Sequence, residues 1–404
     1  MFSSEMRVVI VGAGVGGLTL ALLLRRQGVA AEVVEQAPEL REAGAAIALA
    51  ANATRVLRHL GLGDDLARLS TQPAAVIHRD GRDGHLVSAH RMGRWYRRAF
   101  GAPFYGLHRA GLQQLLAGAR EQGHLHLGCR VDALQERGQA MTVHCASGAV
   151  FDADLVVGAD GVHSQVRSWV TGGDHEPVYS GTSGFRGLVP ADQLPDLPDP
   201  GALQFWMGRG AHLLHYPIDR GRLINFLAVL EGPARWTAPA WMEVAAPGAH
   251  LEAFTGWHPA VAQMLTAVPQ SPRWGLFALP PLARWCRGPV VLLGDAAHAM
   301  LPHQGQGANQ AIEDAAVLAA ELGAATDLAA ALRRYEDRRK ARTRQVQAAS
   351  WAASAALHLA GGRALQARDA YLAQLPQRLA WIHGHNVLAE GCAPIPSVRY
   401  SRPA

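Results

Sequence analysis

Residues 7–36 read RVVIVGAGVGGLTLALLLRRQGVAAEVVEQ. Val8 to Val11 form a short β-branched run, as expected of a parallel strand buried on both faces. Gly12, Gly14 and Gly17 follow in GxGxxG spacing. Leu18 to Gln27 is rich in helix formers, Gly28 is a plausible stop, and Glu32 to Glu35 reads as the next strand. The stretch is a complete βαβ unit. Gly12 permits the tight turn, Gly14 lets a pyrophosphate approach the backbone, and Gly17 lets helix and strand pack closely. The helix N-terminus adds free N–H groups and a partial positive charge. Gly12, Gly14, Val15, Gly16 and Gly17 are therefore candidate phosphate contacts. Glu35, with Gln36 beside it, is placed to accept from the hydroxyls of an adenosine ribose. The unit predicts a dinucleotide, and the turn alone does not separate FAD from NAD.

The rest of the chain sets the frame. Its 404 residues suit two interleaved domains; 49% are hydrophobic and 18% charged, ordinary for a protein with a sizeable core. A net charge of +5 with no basic stripe interleaved with aromatics gives no reason to expect nucleic acid. Cys129, Cys145, Cys286 and Cys392 show no CxxC spacing, so free thiols are expected and a metal is not. No apolar run reaches the roughly 18 residues of a membrane span, and no signal-peptide layout opens the chain. A soluble, cytoplasmic protein is expected.

A second segment, LLGDAAHAMLPHQGQGANQAIEDA (Leu292 to Ala315), is also built around a ligand, and the two ends of the chain are expected to hold the same one. The strand GPVVLL ends just before Asp295, which would stand at the strand's C-terminal edge, where ligands bind in open α/β sheets. One carboxylate there accepts from two hydroxyls, such as those of a ribityl chain. Gly305 and Gly307 allow close approach to a flat ring, and a helix from about Ala308 to Leu322 would aim its N-terminus at that ring's negative edge.

This segment resembles the second FAD motif of single-component, FAD-dependent aromatic hydroxylases, the flavoprotein monooxygenases of the p-hydroxybenzoate hydroxylase fold. DLVVGADGVHSQVR (Asp154 to Arg167) is similar to the family's Asp-Gly motif, with Asp160, Gly161, Ser164 and Arg167 in matching places. LHRAGLQQLL resembles the segment in which an arginine, here Arg109, contacts FAD. GFRGLVP (Gly184 to Pro190) and HLLHYPI (His212 to Ile218) look most like the branch acting on salicylate, 3-hydroxybenzoate and 6-hydroxynicotinate.

The resemblance implies an α/β fold. A Rossmann-like FAD-binding domain (1–72, 104–173 and 284–347) would interleave with an α+β substrate domain containing an antiparallel sheet (73–103 and 177–283), followed by C-terminal helices and a tail (348–404). It implies tightly bound, non-covalent FAD, NADH or NADPH as co-substrate, and dioxygen. A small, electron-rich aromatic or heteroaromatic substrate, phenolic and carboxylated, would be hydroxylated through a flavin C4a-hydroperoxide. A homodimer is the working expectation for assembly.

On a strand, His212 and Tyr216 share a face and His215 takes the other. Pro217 predicts that the strand ends just beyond. The resemblance assigns His212 and Tyr216 to the substrate's phenolic side, with an imidazole suited to take its proton. Pro302 matches a position whose carbonyl lies near the reacting oxygen, and His303 would face the substrate. Arg186 is a candidate for a bidentate contact to a substrate carboxylate. His298 reads as structural. In GAAIALAAN (Gly44 to Asn52), Ala48 stands where some relatives carry a polar or ionisable group, so any second acid–base residue is missing there.

Other readings are an NAD-dependent dehydrogenase, which leaves the GDAAH segment without a ligand, a hydroxylase of a purine or quinone precursor on the same fold, and a catalytically silent flavin binder. Halogenation is disfavoured, because the sole lysine, Lys340, lies in the basic stretch RRYEDRRKARTR and matches no halogenase motif.

Overall fold

Val8–Val11 is buried at every position, and a strand with no exposed face has to lie inside a sheet. In the computed structural model it is a central strand of six. The order is Cys286–Arg287, Val290–Leu292, Leu155–Gly158, Val8–Val11, Ala31–Val34, Leu125–His126. All neighbours are parallel except Cys286–Arg287, which runs antiparallel to Val290–Leu292. The structure describes residues 6–40, 46–119, 124–173, 175–238, 241–246 and 248–389. Cys392, the prolines of the C-terminal tail and the first two residues of GAAIALAAN lie outside the described residues.

Three stretches of chain that are remote in sequence thus lie side by side, with Leu155–Gly158 pairing Val8–Val11 on one edge and Val290–Leu292 on the other. The helices Val15–Arg26 and Gly307–Ala324 pack on this sheet and on each other, and Gln27 Nε2 donates to Ala319 O at 2.9 Å. Two glycines make the close packing feasible. A Cβ on Gly17 would stand 2.2 Å from Gly12 O, and one on Gly12, at φ +107°, 2.3 Å from Ala159 O.

The second sheet has eight strands, in the order Met242–Glu243, Arg273–Ala278, Val178–Pro190, Leu223–Glu231, Ala211–Ile218, Leu203–Gly208, Ala75–Asp80, Leu86–Arg91. It is antiparallel except where Leu203–Gly208 runs parallel to Ala75–Asp80. The strand that carries His212 and Tyr216 runs through Pro217 and ends just beyond it, at Ile218. The neighbouring ladder with Leu203–Gly208 covers only Ala211 to His215, so beyond that point Pro217 pairs on one side alone, with Ile224, and its missing N–H is tolerated there.

The helical tail begins earlier than its composition suggests. One helix, Leu328–Leu357, runs through the basic stretch, breaks at His358, and is followed by Gly362–Leu372 and two short turns. Leu357 and Leu372 bury against Met207, so these helices dock on the eight-stranded sheet. Among the described residues no helix is long and apolar enough to cross a membrane.

Candidate active site

Two glycine turns from opposite ends of the chain line one cleft of about 830 Å³. From the first segment come Gly12, Gly14, Val15, Gly16, Gly17, Glu35 and Gln36; from the second, Asp295, Pro302, Gly305, Gly307 and Ala308. Arg109, Asp160, Arg186 and Tyr216 complete the set of expected residues that border it. The two segments touch directly: a Cβ on Gly16 would meet Leu293 Cδ2 at 2.5 Å and Ala311 Cβ at 3.0 Å.

The cleft has the features that a dinucleotide needs. A Cβ on Gly14 would meet nothing within 4 Å, so this glycine leaves space facing the cleft. Neither Val15–Arg26 nor Gly307–Ala324 has a side-chain cap at its N-terminus, so first-turn N–H groups remain available there. Glu35 has a second task that its position in the motif does not reveal. Its Oε2 accepts from Ala13 N at 2.8 Å and its Oε1 from Ala37 N at 2.9 Å, so the carboxylate holds the turn itself and keeps lone pairs for further donors. Asp160 accepts from Ser164 Oγ at 2.5 Å and Val166 N at 3.1 Å, yet burial still raises it above the ordinary carboxylate range. Arg167, matched to the same motif, is buried and donates to Val162 O and Ala296 O, tying this loop to the second segment.

A second space of about 540 Å³ opens between the eight-stranded sheet and the C-terminal helices. Its walls are mostly apolar, including Phe100, Phe104, Phe205, Leu372 and several alanines of Leu328–Leu357. Ala48, Leu214, Tyr216 and Gly305 line both spaces and mark where they meet. His303 stands on the wall of the apolar chamber. It is 6% exposed, and neither ring nitrogen has a hydrogen-bond partner. Burial pushes its imidazole down to about 3, helped by His358. Burial raises the Tyr216 phenol well above its ordinary value, and Arg186 opposes that.

The remaining expected residues are less direct. His212 is buried one layer behind His303, with ring centres 5.2 Å apart. His215 points to the opposite face, near Trp206, as strand alternation requires. Pro302 opens a 3₁₀ turn, and its carbonyl accepts from Gly305 N at 2.8 Å. Arg186 is exposed beside the first cleft, its guanidinium 5.3 Å from the Trp274 ring centre, and it does not line the apolar chamber. His298 Nε2 donates to Asp314 Oδ2 at 2.6 Å in full burial, a structural pairing.

The FAD binding domain family matches residues 5–350. A 3-amino-4-hydroxybenzoate 2-monooxygenase of Streptomyces platensis is 38% identical over 95% of this chain and 97% of its own. A 6-hydroxynicotinate 3-monooxygenase of Bordetella bronchiseptica is 34% identical over 85% of this chain and 90% of its own. The chain is an FAD-dependent aromatic hydroxylase.

Solved structures agree. A salicylate hydroxylase–substrate complex superposes with a TM-score of 0.83 at 29% identity, covering 95% of this chain and 96% of the other. Klebsiella pneumoniae HpxO with FAD and uric acid gives 0.82 at 28% identity, covering 96% and 98%. The hydroxylase binds FAD, uses NADH or NADPH, and inserts one oxygen atom of dioxygen into an aromatic compound.

Several residues that build this hydroxylase's site escape sequence reasoning. Asn309, fully buried, accepts from Ala50 N at 2.8 Å and donates to Ala48 O at 2.9 Å and Gly305 O at 2.7 Å, clamping together the two segments where the spaces meet. Gln113 Nε2 donates to Ala13 O at 2.8 Å and steadies the first turn. Behind the helix Gly307–Ala324, Glu313 and Asp314 pair with Arg339 and Arg342 in full burial. Burial alone would raise Glu313, but Arg342 and Arg339 outweigh it and hold the carboxyl well below its usual range. The available signal was polar: Asn309, Gln310, Glu313 and Asp314 interrupt the otherwise apolar first half of the helix.

Proposed function

We propose that the substrate is a small phenolic aromatic or heteroaromatic acid, held in the apolar chamber with its hydroxyl against His303 and Tyr216 and its reacting carbon toward the junction at Ala48 and Gly305. The observation that carries this reading is His303. A buried imidazole with two unsatisfied nitrogens costs about 1–3 kcal/mol per orphaned group, and a bound hydroxyl offsets that cost. With its low pKa, His303 is neutral at pH 7 and offers a ring-nitrogen lone pair to the phenolic hydroxyl, taking that proton only as another leaves its second nitrogen. Tyr216, with its raised pKa, stays protonated and donates to the phenolate oxygen. A phenolate is far more nucleophilic at its ortho and para carbons than the phenol. The apolar walls exclude water and place the ring.

FAD, when bound, supplies the activated oxygen. The first glycine turn would hold its diphosphate, Glu35 its adenosine ribose, and Asp295 its ribityl hydroxyls, with Asp160 on the wall of the same cleft and Gly305 and Gly307 close to the flat ring. The N-terminus of Gly307–Ala324 would face its ring, and Arg109 the outer edge of the cleft. Pro302 backs the loop beside it, and Arg186, near the cleft mouth, is assigned to a substrate carboxylate on entry. His212 supports His303 from behind. The relatives' substrates, 3-amino-4-hydroxybenzoate and 6-hydroxynicotinate, favour a phenolic acid. The paucity of polar wall groups speaks against a purine, which has donors and acceptors around its whole edge.

In the same reading, segments 1–72, 104–173 and 284–347 act as the FAD-binding domain, 73–103 and 177–283 as the substrate domain, and 348–404 as the C-terminal helical segment and tail. The enzyme works in the cytoplasm as a homodimer. The test is a panel of hydroxylated benzoates and pyridines, 3-amino-4-hydroxybenzoate among them. Oxidation of NADH or NADPH is followed together with the mass of the product. A gain of one oxygen atom with stimulated cofactor oxidation supports the reading, and no hydroxylated product from any phenolic acid overturns it.

A further inference from the structure

The groups behind His303 run in a line toward the surface. The ring centres of His303 and His212 are 5.2 Å apart at 63°, within reach of a proton hand-off by a small ring rotation. His212 Nδ1 and His358 Nε2 are 2.7 Å apart. On its far side His358 Nδ1 lies 3.8 Å from Glu231 Oε1, and the Glu231 side chain is 66% exposed. The three imidazoles are all buried, while the last group stands in water.

Backbone contacts hold the outer members in place. His358 caps the C-terminus of Leu328–Leu357, and its carbonyl accepts from Gly210 N at 3.1 Å. Gly210 O in turn accepts from Glu231 N at 2.8 Å. The hairpin that carries His212 therefore also fixes the positions of His358 and Glu231. Three histidines packed only for volume would not need a shared hydrogen bond, an unsatisfied inner end and a carboxylate at the outer end.

We propose that His303, His212, His358 and Glu231 form a proton relay between the chamber and solvent, with His358 and Glu231 as its outer members. The proposal rests on the phenol reading above. When the substrate O–H bond breaks, its electron pair stays on oxygen and its proton goes to one ring nitrogen of His303. A proton leaves the other nitrogen for His212, the next hop reaches His358, and the last reaches the Glu231 carboxylate and then water. The return of a proton at product formation runs the same path backward, and no oxidant or reductant is consumed.

Neutral imidazoles suit such hops, since each has one nitrogen to accept and one to donate. Burial holds His358 down at about 4, and it holds His212 well below its ordinary value, with His303 and His358 adding to the effect. Among the described residues these rings contact one another and Glu231, Tyr216 shares the chamber wall with His303, and the Phe205 ring centre lies 6.5 Å from that of His212.

The test reads proton exchange rather than turnover. In the FAD-loaded, ¹⁵N-histidine-labelled protein, NMR gives the exchange rate of the His212 and His358 ring N–H with water. Glu231→Gln, on an exposed side chain, is expected to slow that exchange about tenfold or more, with recovery on adding imidazole as a diffusible carrier. His358→Gln, which keeps a hydrogen bond to His212 but carries no titratable nitrogen, should slow His212 exchange at least as much while FAD affinity stays unchanged. With 3-amino-4-hydroxybenzoate as probe, proton release to a pH indicator should lag behind binding in both variants. Exchange unaffected by Glu231→Gln, or slowed exchange that imidazole does not restore, overturns the relay. The exchange measurement needs no substrate, so an inactive substrate panel strikes the phenol reading alone.

Discussion

Arg342 grips Glu313 with two hydrogen bonds, Nε to Oε2 at 2.6 Å and Nη2 to Oε1 at 2.8 Å, and neither side chain is more than 2% exposed. The pair joins Leu328–Leu357 to the helix whose N-terminus borders the FAD cleft. Arg339 adds a second cation, bonded to both Glu313 and Asp314, and Asn52 donates to Glu313 Oε1. Removing the Glu313 charge leaves two buried guanidinium groups with one carboxylate between them. Glu313→Gln is expected to cost about 3–5 kcal/mol of stability, read by denaturant unfolding of the FAD-loaded protein. A change below about 1 kcal/mol would show that the cluster is not what anchors this helix.

At the first glycine turn, Glu35 holds the backbone and is proposed to hold the ribose as well. Glu35→Ala removes the acceptor of Ala13 N and Ala37 N together with the proposed ribose contact. FAD affinity should fall about 10- to 100-fold, since each lost charged hydrogen bond is worth about 1.5–3 kcal/mol. Fluorescence titration of the apoprotein measures it. An affinity within twofold of the parent would remove Glu35 from the cofactor site.

Gly12 faces a harder limit. At φ +107° with Ala159 O 2.3 Å from a virtual Cβ, no side chain fits without moving the strand Leu155–Gly158. Gly12→Ala should give a colourless or insoluble protein. Gly14→Ala, whose Cβ meets no protein atom, should fold but bind FAD more weakly, because the methyl group enters the space left for the pyrophosphate. Absorbance at the flavin bands in each purified variant makes the comparison.

For the chemistry, His303→Ala and Tyr216→Phe should keep FAD and still oxidise NADH or NADPH. Hydroxylated product per cofactor oxidised should fall by about 10²-fold for His303→Ala, in line with the loss of a positioned base. Product yield unchanged in His303→Ala would mean that the phenolic proton leaves by another route.

Acid stability follows from the buried histidines. Burial holds His78, His215 and His303 at about 3, and His358, His383 and His385 at about 4. Their unfolded value is about 6.5. Between the two values the unfolded chain binds the extra proton and the folded one does not. Stability is therefore full above pH 6.5 and falls as pH drops from there toward 3–4, with a limiting slope of about 1.4 kcal/mol per pH unit for each such group. Denaturant midpoints at pH 7.5, 6.5, 5.5 and 4.5 test this. A loss that began only near pH 4 would assign acid sensitivity to the carboxylates instead.

The chemistry-bearing turns were legible because their information is local. Arg7 to Gln36 states strand, turn, helix and acid in thirty residues, and Asp295 to Gly307 states edge carboxylate, glycine bend and the start of a helix. The GDAAH histidine was also readable, since the structure gives His298 to Asp314 and not to a ligand. Long-range partners were not. Gln113 reaches Ala13, Asn309 reaches Ala48, and Arg339 reaches Glu313, and no periodicity or spacing records such pairs. Nothing in the basic stretch RRYEDRRKARTR sets Arg339 and Arg342 apart from their neighbours, because one chain cannot show which face a partner helix will cover. Strand alternation placed His212 and Tyr216 on one face, but it could not tell that His303 would stand between His212 and the chamber.

The order of strands in the FAD sheet bears on biosynthesis. Val8–Val11, Leu155–Gly158 and Val290–Leu292 are neighbours in space, although the ribosome makes the third long after the first. A nascent chain that has emerged only as far as the eight-stranded sheet holds the first glycine turn, but not Asp295, Gly307 or the arginines that anchor the second helix. Capture of the prosthetic group is thus deferred until translation is nearly complete, and a truncated translation product should leave the ribosome without colour.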